Sequence, residues 1–336
     1  GPKSAGSNPG PACYGKGGKN PTITDAFAIL GFLGHGELGY GTVNLDIEKA
    51  ENAMLPLSKI LKCDNYKTAQ SIIEISISGM FLESTKLLSR YGADPRNFSL
   101  LAFGGAGPMM ACLLAEELGI NEIVVPTTPG VLSAYGGLIA DIRNDFIKTV
   151  FLDLDENGLD ILSNFLEILE TDAINWLRNE QCFNGKYELF WSADMRYRGQ
   201  SFEIETSLTK EDLINKDINS IAKKFHKSHF KAYDHFDENS EIQIVNLRLV
   251  ISGKVTKPKL VTQKETLKKL SSDNKFEVRI KNKIHLAEIF SRDEIKAGNF
   301  FNGPAIVTQS DTTTFILPNY KVNVDKYLNL IIKKED

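Results

Sequence analysis

The stretch SLLAFGGAGPMMACLLAEELGINEIVV, residues 99–125, decides the fold class of this chain. Residues 99–103 are an apolar run of the length of a buried strand, and residues 122–125 are a second such run. Between the two runs a glycine-rich turn precedes a helical pattern, with Pro108 in its favoured first turn and Gly119 at its end. Strand, helix and strand in this order predict α/β organisation with at least one parallel pair of strands.

The segments on either side of this unit are predicted to be loops and helices. Residues 1–44 are rich in Gly and Pro and are predicted to be irregular, whereas residues 46–62 have apolar residues near helical spacing. Residues 66–91 continue the helical pattern, and apolar residues cover so much of the helix surface that we expect burial on several sides. A small-residue helix is predicted over residues 131–141.

The pattern changes after about residue 144. An amphipathic helix is predicted within residues 155–181. Alternation of apolar and polar residues follows in the stretches YELFWSADMRYRG, SFEIETSL, IQIVNLRLVISG, FEVRI and PAIVTQ. Because such alternation is typical of antiparallel strands, we predict an α+β second half. We place one domain over residues 1–150 and the other over residues 151–336.

The composition is that of a soluble globular protein, with 42% hydrophobic and 24% charged residues. A formal net charge of -4 argues against binding to nucleic acid or to an anionic membrane surface. No apolar run reaches the roughly 18 residues of a membrane span, and the first residues do not resemble a signal peptide. The four cysteines have no C-x-x-C spacing, so we expect a reduced protein of the cytoplasm.

The stretch GPACYGKG, residues 10–17, nearly matches the P-loop pattern G-x-x-x-x-G-K-[ST]. A P-loop follows a buried strand and opens a helix, whose N-terminal amides face the phosphates. Residues 1–9 contain no apolar run, the glycines and proline that follow cannot open a helix, and Gly17 replaces the hydroxyl that would hold Mg²⁺. We therefore predict that this stretch is not a P-loop.

The glycines after the first predicted strand are the best local indication of a ligand site. Gly104, Gly105 and Gly107 would let a ligand approach the backbone, and a helix N-terminus favours anionic or polar groups. A tight turn between strand and helix, without a ligand, explains the same residues. The dinucleotide fingerprint G-x-G-x-x-G is not matched, because Met110 stands where Gly or Ala belongs, and this disfavours an NAD-binding domain.

Three other places are weaker candidates for a site. Asp25 in PTITDAF could bind a metal or accept a proton, but Asp is also a common N-cap. His226 and His229 lie three residues apart on a predicted helix, which fits a metal site or an exposed polar face. Residues 196–203, RYRGQSFE, could bind an anion or an amide, or could form a surface hairpin with Arg–Glu pairs.

Taken together, these stretches resemble the sequence blocks of the hydantoinase A/5-oxoprolinase family. Residues 1–31 resemble its pattern GPxSAGxxPGPACYGxGGxxPTxTDANxxLG, and residues 103–119 and 124–146 are similar to its next two blocks. DMRYRGQSFEIE, VNLRLVISG and GPAIVTQSDTTTFILP are similar to its C-terminal domain. The blocks occur in order over nearly the whole chain, and GPACYGKG is part of the first one.

This resemblance implies a fold, a chemistry and a set of site residues. The fold is the second half of an actin-like ATPase domain, of the sugar-kinase and Hsp70 type, followed by an α+β C-terminal domain. Enzymes of this family use ATP, with Mg²⁺, to phosphorylate an amide or enolate oxygen before a cyclic amide is hydrolysed or a ketone is carboxylated. The resemblance implies a catalytic role for Asp25, and Asp25, His226 and His229 are the candidate metal ligands. The cofactor contacts that it implies are Ser4, Gly6, Gly104, Gly105, Ala106 and Gly107.

The resemblance also implies partner chains. The family's early glycine-rich phosphate-binding segments have no counterpart here, and the chain has no initiator Met. We therefore expect that this chain is the C-terminal half of such a protein and is not competent alone. The N-terminal half, as a separate chain or a removed segment, is the expected partner, and a hydantoinase B-type subunit is a further one.

Two positions depart from the family pattern. Phe27 stands where the pattern has Asn, and Met110 stands where it has His. Apolar residues in place of two polar groups of the cleft would change the substrate or abolish catalysis. We predict a component of an ATP-dependent cyclic-amide hydrolase. Two alternatives stay open, a subunit of an ATP-dependent ketone carboxylase and a non-catalytic subunit that supports assembly.

Overall fold

Helices dominate the first part of the chain and strands dominate the last part, in a computed structural model that describes residues 3–34, 37–38 and 41–335. The helices are α1 (Ile23–Ile29), α2 (Ile47–Leu61), α3 (Asn65–Arg90), α4 (Gly107–Leu118), α5 (Leu132–Ile139), α6 (Glu156–Asn175), α7 (Lys210–Ile214) and α8 (Ile218–Tyr233). The strands are β1 (Glu37–Leu38), β2 (Val43–Asn44), β3 (Leu100–Leu101), β4 (Glu122–Val125), β5 (Ile142–Asp153), β6 (Tyr187–Tyr197), β7 (Ile204–Leu208), β8 (Ile242–Gly253), β9 (Lys268–Lys269), β10 (Lys275–Ile280), β11 (Lys283–Ser291), β12 (Asn299–Asn302), β13 (Ala305–Thr308), β14 (Thr313–Ile316), β15 (Tyr320–Val324) and β16 (Leu330–Lys334). Short 3₁₀ turns lie at Ala12–Tyr14, Pro95–Asn97, Pro129–Val131 and Arg292–Glu294, and a π-helical turn at Trp176–Glu180 follows α6.

The chain forms two compact units, and the first unit is built from both ends of the chain. It consists of Gly1–Gly137 and Lys259–Asp336, and the second unit is Leu138–Pro258. The C-terminal segment belongs to the first unit because its last strand, β16, pairs antiparallel with β4. This division differs from the sequence domains 1–150 and 151–336, which stay a prediction.

The first unit contains the α/β pattern from which its fold class was predicted. Its six-stranded sheet has the order β3-β4-β16-β15-β12-β9. β3 and β4 are parallel, with Leu100 opposite Ile123, and α4 connects them. The predicted parallel pair is therefore confirmed, although β3 is shorter than the apolar run of residues 99–103. The chain has a mixed α/β fold with several sheets.

A second, four-stranded sheet completes the core of the first unit. Its order is β10-β11-β13-β14, with β11 and β13 parallel and the other pairs antiparallel. Phe32, which follows α1, stacks on Phe315 of β14 with ring centroids 4.0 Å apart. Both side chains are buried, so this stacking joins the loop after α1 to the sheet.

The long helix α3 is buried on one side only. Ala69, Ile73 and Ile77 face the core. Ile75 and Leu82, seven residues apart and therefore on one face, are 73% and 65% exposed. The expected burial of α3 on several sides is thus wrong for the described chain, because its packed elements cover only the side of Ala69, Ile73 and Ile77.

The second unit has the antiparallel character that its alternating sequence predicts. Its sheet has the order β5-β8-β6-β7, and each neighbouring pair is antiparallel. The amphipathic helix α6 and the helix α8 bury apolar side chains in the same core as β6 and β8, among them Leu162, Phe225 and Leu247. No helix in the described ranges is long and apolar enough to cross a bilayer.

Candidate functional site

A cavity of about 360 Å³ lies in the first unit and brings distant stretches of the sequence together. Four chain segments contribute to it: the 3₁₀ turn at Ala12–Tyr14, α1 with the loop after it, the glycine loop before α4, and the segment before and into β14. Its lining residues are Tyr14, Thr24, Phe27, Leu33, Gly105, Ala106, Met109, Gln309, Asp311, Thr312 and Thr313.

The glycine loop leaves open space at the start of α4. Gly104 has a φ of 83°, a left-handed conformation that favours glycine, and its N–H donates to Pro129 O at 2.7 Å. A Cβ atom added to Gly105 would meet no atom within 4 Å. Ala106, the N-cap of α4, makes no side-chain capping bond, so the first N–H groups of this helix have no side-chain acceptor there. A helix N-terminus of this kind favours an anionic ligand.

The segment before β14 supplies polar groups that the sequence motifs did not single out. Thr312 Oγ1 donates to Gly105 O at 2.8 Å and so holds the glycine loop in place. Asp311 Oδ2 accepts from the Gly130 N–H at 2.9 Å, while Asp311 Oδ1 is buried without a hydrogen-bond partner. In the sequence these residues form the polar run QSDTTT, residues 309–314, within the family-like stretch GPAIVTQSDTTTFILP, which gives no role to any one of them.

Asp25 is buried beneath the loop that carries Tyr14. Its Oδ1 accepts from the Cys13 N–H at 2.7 Å, and its Oδ2 accepts from the N–H and hydroxyl of Thr22 at 2.8 and 2.7 Å. Oδ2 also lies 3.3 Å from the Ala12 nitrogen. Thr22 is the N-cap of α1, and Asp25, at position N3, is the other member of its capping box. The N-cap interpretation of Asp25 is therefore right that a helix begins here, but the N-cap residue is Thr22. This geometry supports a positioning role, and a direct catalytic role for Asp25 stays a prediction.

Ionisable groups next to Asp25 are held in their neutral forms. Burial, followed by the nearby charge of Asp25, raises the pKa of the Cys13 thiol far above its ordinary value. Burial also raises the pKa of Tyr14. Tyr14 therefore presents a neutral phenol at the cavity at neutral pH, able to donate a hydrogen bond.

The other predicted cofactor contacts lie in different places. Gly105 and Ala106 line the cavity, and Gly104 and Gly107 flank them in the same loop. Ser4 and Gly6 are exposed, and the Gly6 N–H donates to Ser4 Oγ at 3.1 Å. These two residues are not among the lining residues, so their contact with a cofactor stays a prediction.

Of the two positions that depart from the family pattern, one lines the cavity and the other does not. Phe27 lines it, and the ring of Phe27 lies 6.3 Å from that of Phe32. Met110 is buried in the core, and its neighbour Met109 lines the cavity instead. Of the two departures from the family pattern, Phe27 is therefore the one that lies at the cavity wall.

His226 and His229 belong to a buried hydrogen-bond network and not to an exposed helix face. His229 is fully buried between Gln200, whose Nε2 lies 3.0 Å from its Nε2, and His235 O, 2.7 Å from its Nδ1. Tyr197 Oη lies 2.7 Å from His226 Nδ1 and accepts from the Asp237 N–H at 2.9 Å. Within the described ranges no three His, Cys, Asp or Glu side chains are grouped as a metal site.

Residues 196–203 form the turn of a hairpin with Arg–Glu pairs, which is one of the two interpretations of this stretch. Arg196 pairs with Glu203 at 3.3 Å, and two of its nitrogens donate to Gln243 Oε1. Arg198 pairs with Asp153 and Glu241. Its arginines are therefore paired, so this turn does not show an anion site.

Comparison with known proteins assigns the chain to a family. A family model described as hydantoinase/oxoprolinase matches residues 1–146, and one described as hydantoinase/oxoprolinase C-terminal domain matches residues 155–335. The chain belongs to the hydantoinase/oxoprolinase family, as its motifs predict.

Its relatives include a subunit of a known enzyme. An uncharacterised protein of Methanocaldococcus jannaschii is 36% identical over 99% of this chain and 48% of its own length. The caprolactamase α subunit of Pseudomonas jessenii is 29% identical over 97% of this chain and 48% of its own. The crystal structure of the ATP-dependent caprolactamase from that organism covers 99% of this chain and 49% of its own, with a TM-score of 0.78 and 28% identity.

A solved structure of nucleotide-free acetone carboxylase shares the fold, with a TM-score of 0.79 and 20% identity over 96% of this chain and 48% of its own. The chain thus spans about half the length of each of these relatives.

Proposed function

We propose that this chain is a component of an ATP-dependent enzyme that acts on a cyclic amide. The observation that carries the proposal is the cavity, where residues from three of the family-like stretches, 1–31, 103–119 and 303–318, meet around the open N-terminus of α4. The ATP-dependent caprolactamase of Pseudomonas jessenii, which is similar over 99% of this chain, acts on a cyclic amide by its name.

The described residues fit an ATP phosphate group near the start of α4. The first turn of α4 has no side-chain cap, and Gly105 leaves room for a ligand against the backbone. Thr312 holds the glycine loop in place through its hydrogen bond to Gly105 O. Asp311 Oδ1 is buried without a hydrogen-bond partner, and such a carboxylate oxygen suits a hard cation such as Mg²⁺. Since Mg²⁺ is commonly held by one or two carboxylates together with phosphate oxygens, a single carboxylate suffices.

ATP, when bound, supplies a phosphoryl group that turns a poorly reactive amide oxygen into a good leaving group. The chain's own residues orient the reactants. Tyr14 lines the cavity with a neutral phenol that is able to donate a hydrogen bond to a ligand, and Asp25 holds the loop that carries it. Phe27 and Met109 make one wall apolar and so exclude water next to the reacting groups.

The assembly that we propose has two halves. The chain corresponds to about half of the Methanocaldococcus jannaschii relative and of the caprolactamase α subunit, so the actin-like ATPase domain implied by the resemblance would be completed by the other half. A hydantoinase B-type subunit is a further proposed partner, since the caprolactamase relative is itself the α subunit of its enzyme.

The wall formed by Phe27 favours one alternative, a non-catalytic subunit that keeps the fold and supports assembly. The family pattern has a polar Asn at this position, and the ring here replaces a hydrogen-bonding group at the cavity. A ketone carboxylase subunit is the other alternative, since acetone carboxylase shares the fold.

ATP hydrolysis with different substrates separates these proposals. The chain is assembled with the half of the Methanocaldococcus jannaschii relative that lies outside the match, and phosphate release is followed with hydantoin, 5-oxoproline or caprolactam. We expect at least one cyclic amide to stimulate ATP hydrolysis. Stimulation by acetone with bicarbonate alone would indicate a carboxylase, and an assembled complex without ATP hydrolysis would indicate a non-catalytic subunit.

A further inference from the structure

A second cavity of the first unit lies away from the glycine loop. It has a volume of about 230 Å³ and lies between α3, the C-terminal half of α4, the loop after α1 and the end of β10. Its apolar wall is formed by Leu30, Phe32, Ile73, Ile77, Leu113 and Ile280. Among the described residues, none lines both this cavity and the one at the start of α4, so the two are separate.

The second cavity has the size and the wall of a site for a small organic molecule. All of its apolar wall residues except Leu113 are buried, so the cavity reaches into the core. An apolar cavity of roughly 150 Å³ in another protein admits benzene. An apolar wall with a few polar groups beside it is the usual composition of a ligand pocket.

A guanidinium without a carboxylate partner lines this cavity. Arg279 stacks on Tyr66, with its Cζ 3.8 Å from the centre of the ring. The Arg279 N–H donates to Leu30 O at 3.0 Å, which fixes the end of β10 beside the cavity. In the part of the chain that the structure describes, no carboxylate pairs with the Arg279 guanidinium. Stacking on the ring leaves the N–H groups at the edge of the guanidinium available, and a carboxylate is the group that they match best.

Carboxylates from α3 and α4 line the same cavity. Glu116 is paired, since Lys281 and Lys334 each lie 3.5 Å from one of its oxygens. Glu74 and Glu117 have no cation partner within the described ranges. The cavity therefore combines an apolar wall with unpaired charges of both signs, and this combination matches a zwitterion with an aliphatic chain.

We infer that this cavity binds an aliphatic ω-amino acid. Its carboxylate pairs with Arg279, its ammonium group is attracted by Glu74 and Glu117, and its methylene chain contacts the wall at Ile73 and Ile77. The choice of this ligand rests on the proposed function, because hydrolysis of a cyclic amide produces such a molecule. The C–N bond breaks, the carbonyl carbon gains the oxygen of water, and the nitrogen gains a proton. At neutral pH the product has a carboxylate at one end and an ammonium group at the other.

Calorimetry with 6-aminohexanoate, the ring-opened form of caprolactam, tests the inference on this chain without ATP. Hexanoate and hexylamine serve as comparisons, because each keeps the aliphatic chain and only one of the two charges. We expect 6-aminohexanoate to bind about tenfold more tightly than either, since hydrogen bonds to charged groups contribute at least that factor.

Variants of the charged lining residues locate the binding. We expect Arg279→Gln to weaken binding of 6-aminohexanoate about tenfold, and the double variant Glu74→Gln with Glu117→Gln to do the same. The controls are Arg90→Gln and Glu83→Gln, at exposed positions of α3 that do not line the cavity, and they should bind like the native sequence. Circular dichroism shows whether each variant is folded. Because Glu74 and Glu117 are exposed, the double variant tests the site even if Arg279→Gln unfolds the chain.

Three results would overturn the inference: no binding at millimolar concentrations, equal affinity for hexanoate or hexylamine, or binding that both the arginine and the glutamate variants leave unchanged. Binding that these variants weaken, in a chain whose assembled complex is not stimulated by any cyclic amide, would contradict the proposed function and leave the site intact. Stimulation by a cyclic amide without binding of 6-aminohexanoate would contradict this inference alone.

Discussion

At the scale of single residues, Asp25 shows how a buried motif residue can hold the loop beside the cavity in place. The carboxylate accepts hydrogen bonds from the backbone at Cys13 and from both donors of Thr22. These contacts fix the turn at Ala12–Tyr14 against the start of α1, and the turn brings Tyr14 to the cavity. The identity of Asp25 as an important residue was predictable from the sequence. Its hydrogen-bond partners were not, because they depend on how the preceding loop folds back.

Asp25→Asn should destabilise the first unit more than the same substitution does at a solvent-accessible helix cap. The amide keeps one acceptor but places an NH₂ group among backbone donors, so we expect a loss of about 3 kcal/mol in the free energy of unfolding. The matched control is Asp46→Asn, which alters the exposed N-cap of α2. Urea unfolding followed by circular dichroism measures both. Equal, small losses for the two variants would contradict the role assigned to Asp25.

At the scale of elements, the order of helices and strands was largely predictable, and the contacts between distant segments were not. The strand of residues 122–125 and α4 follow from a short apolar run and from glycine and proline at the ends, which are local signals. Thr312 lies 207 residues from Gly105, whose carbonyl it binds, and no spacing in the sequence indicates this pairing. The same reason explains why the sequence does not indicate the hydrogen-bond network of His226 and His229. Their partners Tyr197 and Gln200 come from the end of β6 and the turn after it.

The contact between α8 and this turn predicts a pH dependence for the second unit. Burial lowers the pKa of His226 in the folded chain, while Glu238 and Asp237 raise it and His229 lowers it. The unfolded chain, with a His pKa of about 6.5, therefore binds the proton more tightly than the folded chain. The contribution of neutral His226 to the stability of the second unit is complete above about pH 6.5. It is lost as the pH falls towards the lowered pKa of His226 in the folded chain.

Tryptophan fluorescence reports the unfolding of the second unit directly, because Trp176 and Trp191, the two tryptophans of the chain, both lie in it. We expect the urea midpoint of the fluorescence transition to fall between pH 7 and pH 5 in the native sequence. His226→Gln should flatten that dependence. A midpoint that is equally steep in the variant would show that another group carries it.

At the scale of the whole molecule, the chain is a family member that covers about half the length of the Methanocaldococcus jannaschii relative and of the caprolactamase α subunit. Its first unit, formed from both ends of the chain, holds a cavity at the N-terminus of α4, and among the described residues β3 is an edge strand of its six-stranded sheet. Family membership was predictable because the sequence blocks occur in order. The position of β3 at the edge of its sheet does not follow from its sequence, because an apolar strand has the same pattern in the middle of a sheet and at its edge.

The measurement that tests the central claim most directly is the affinity of the assembled complex for ATP, by calorimetry, in the native sequence and in Gly105→Val. Position 105 has free space around its Cβ and no left-handed φ, so the valine should leave folding intact and occupy the place of the ligand. We expect the affinity to fall about tenfold or more, since a cost of only about 1.4 kcal/mol gives that factor. Gly136→Ala, at an equally open position in α5 away from the cavity, should bind ATP like the native sequence. Unchanged ATP affinity in Gly105→Val, with the complex intact, would show that the nucleotide does not bind at the start of α4.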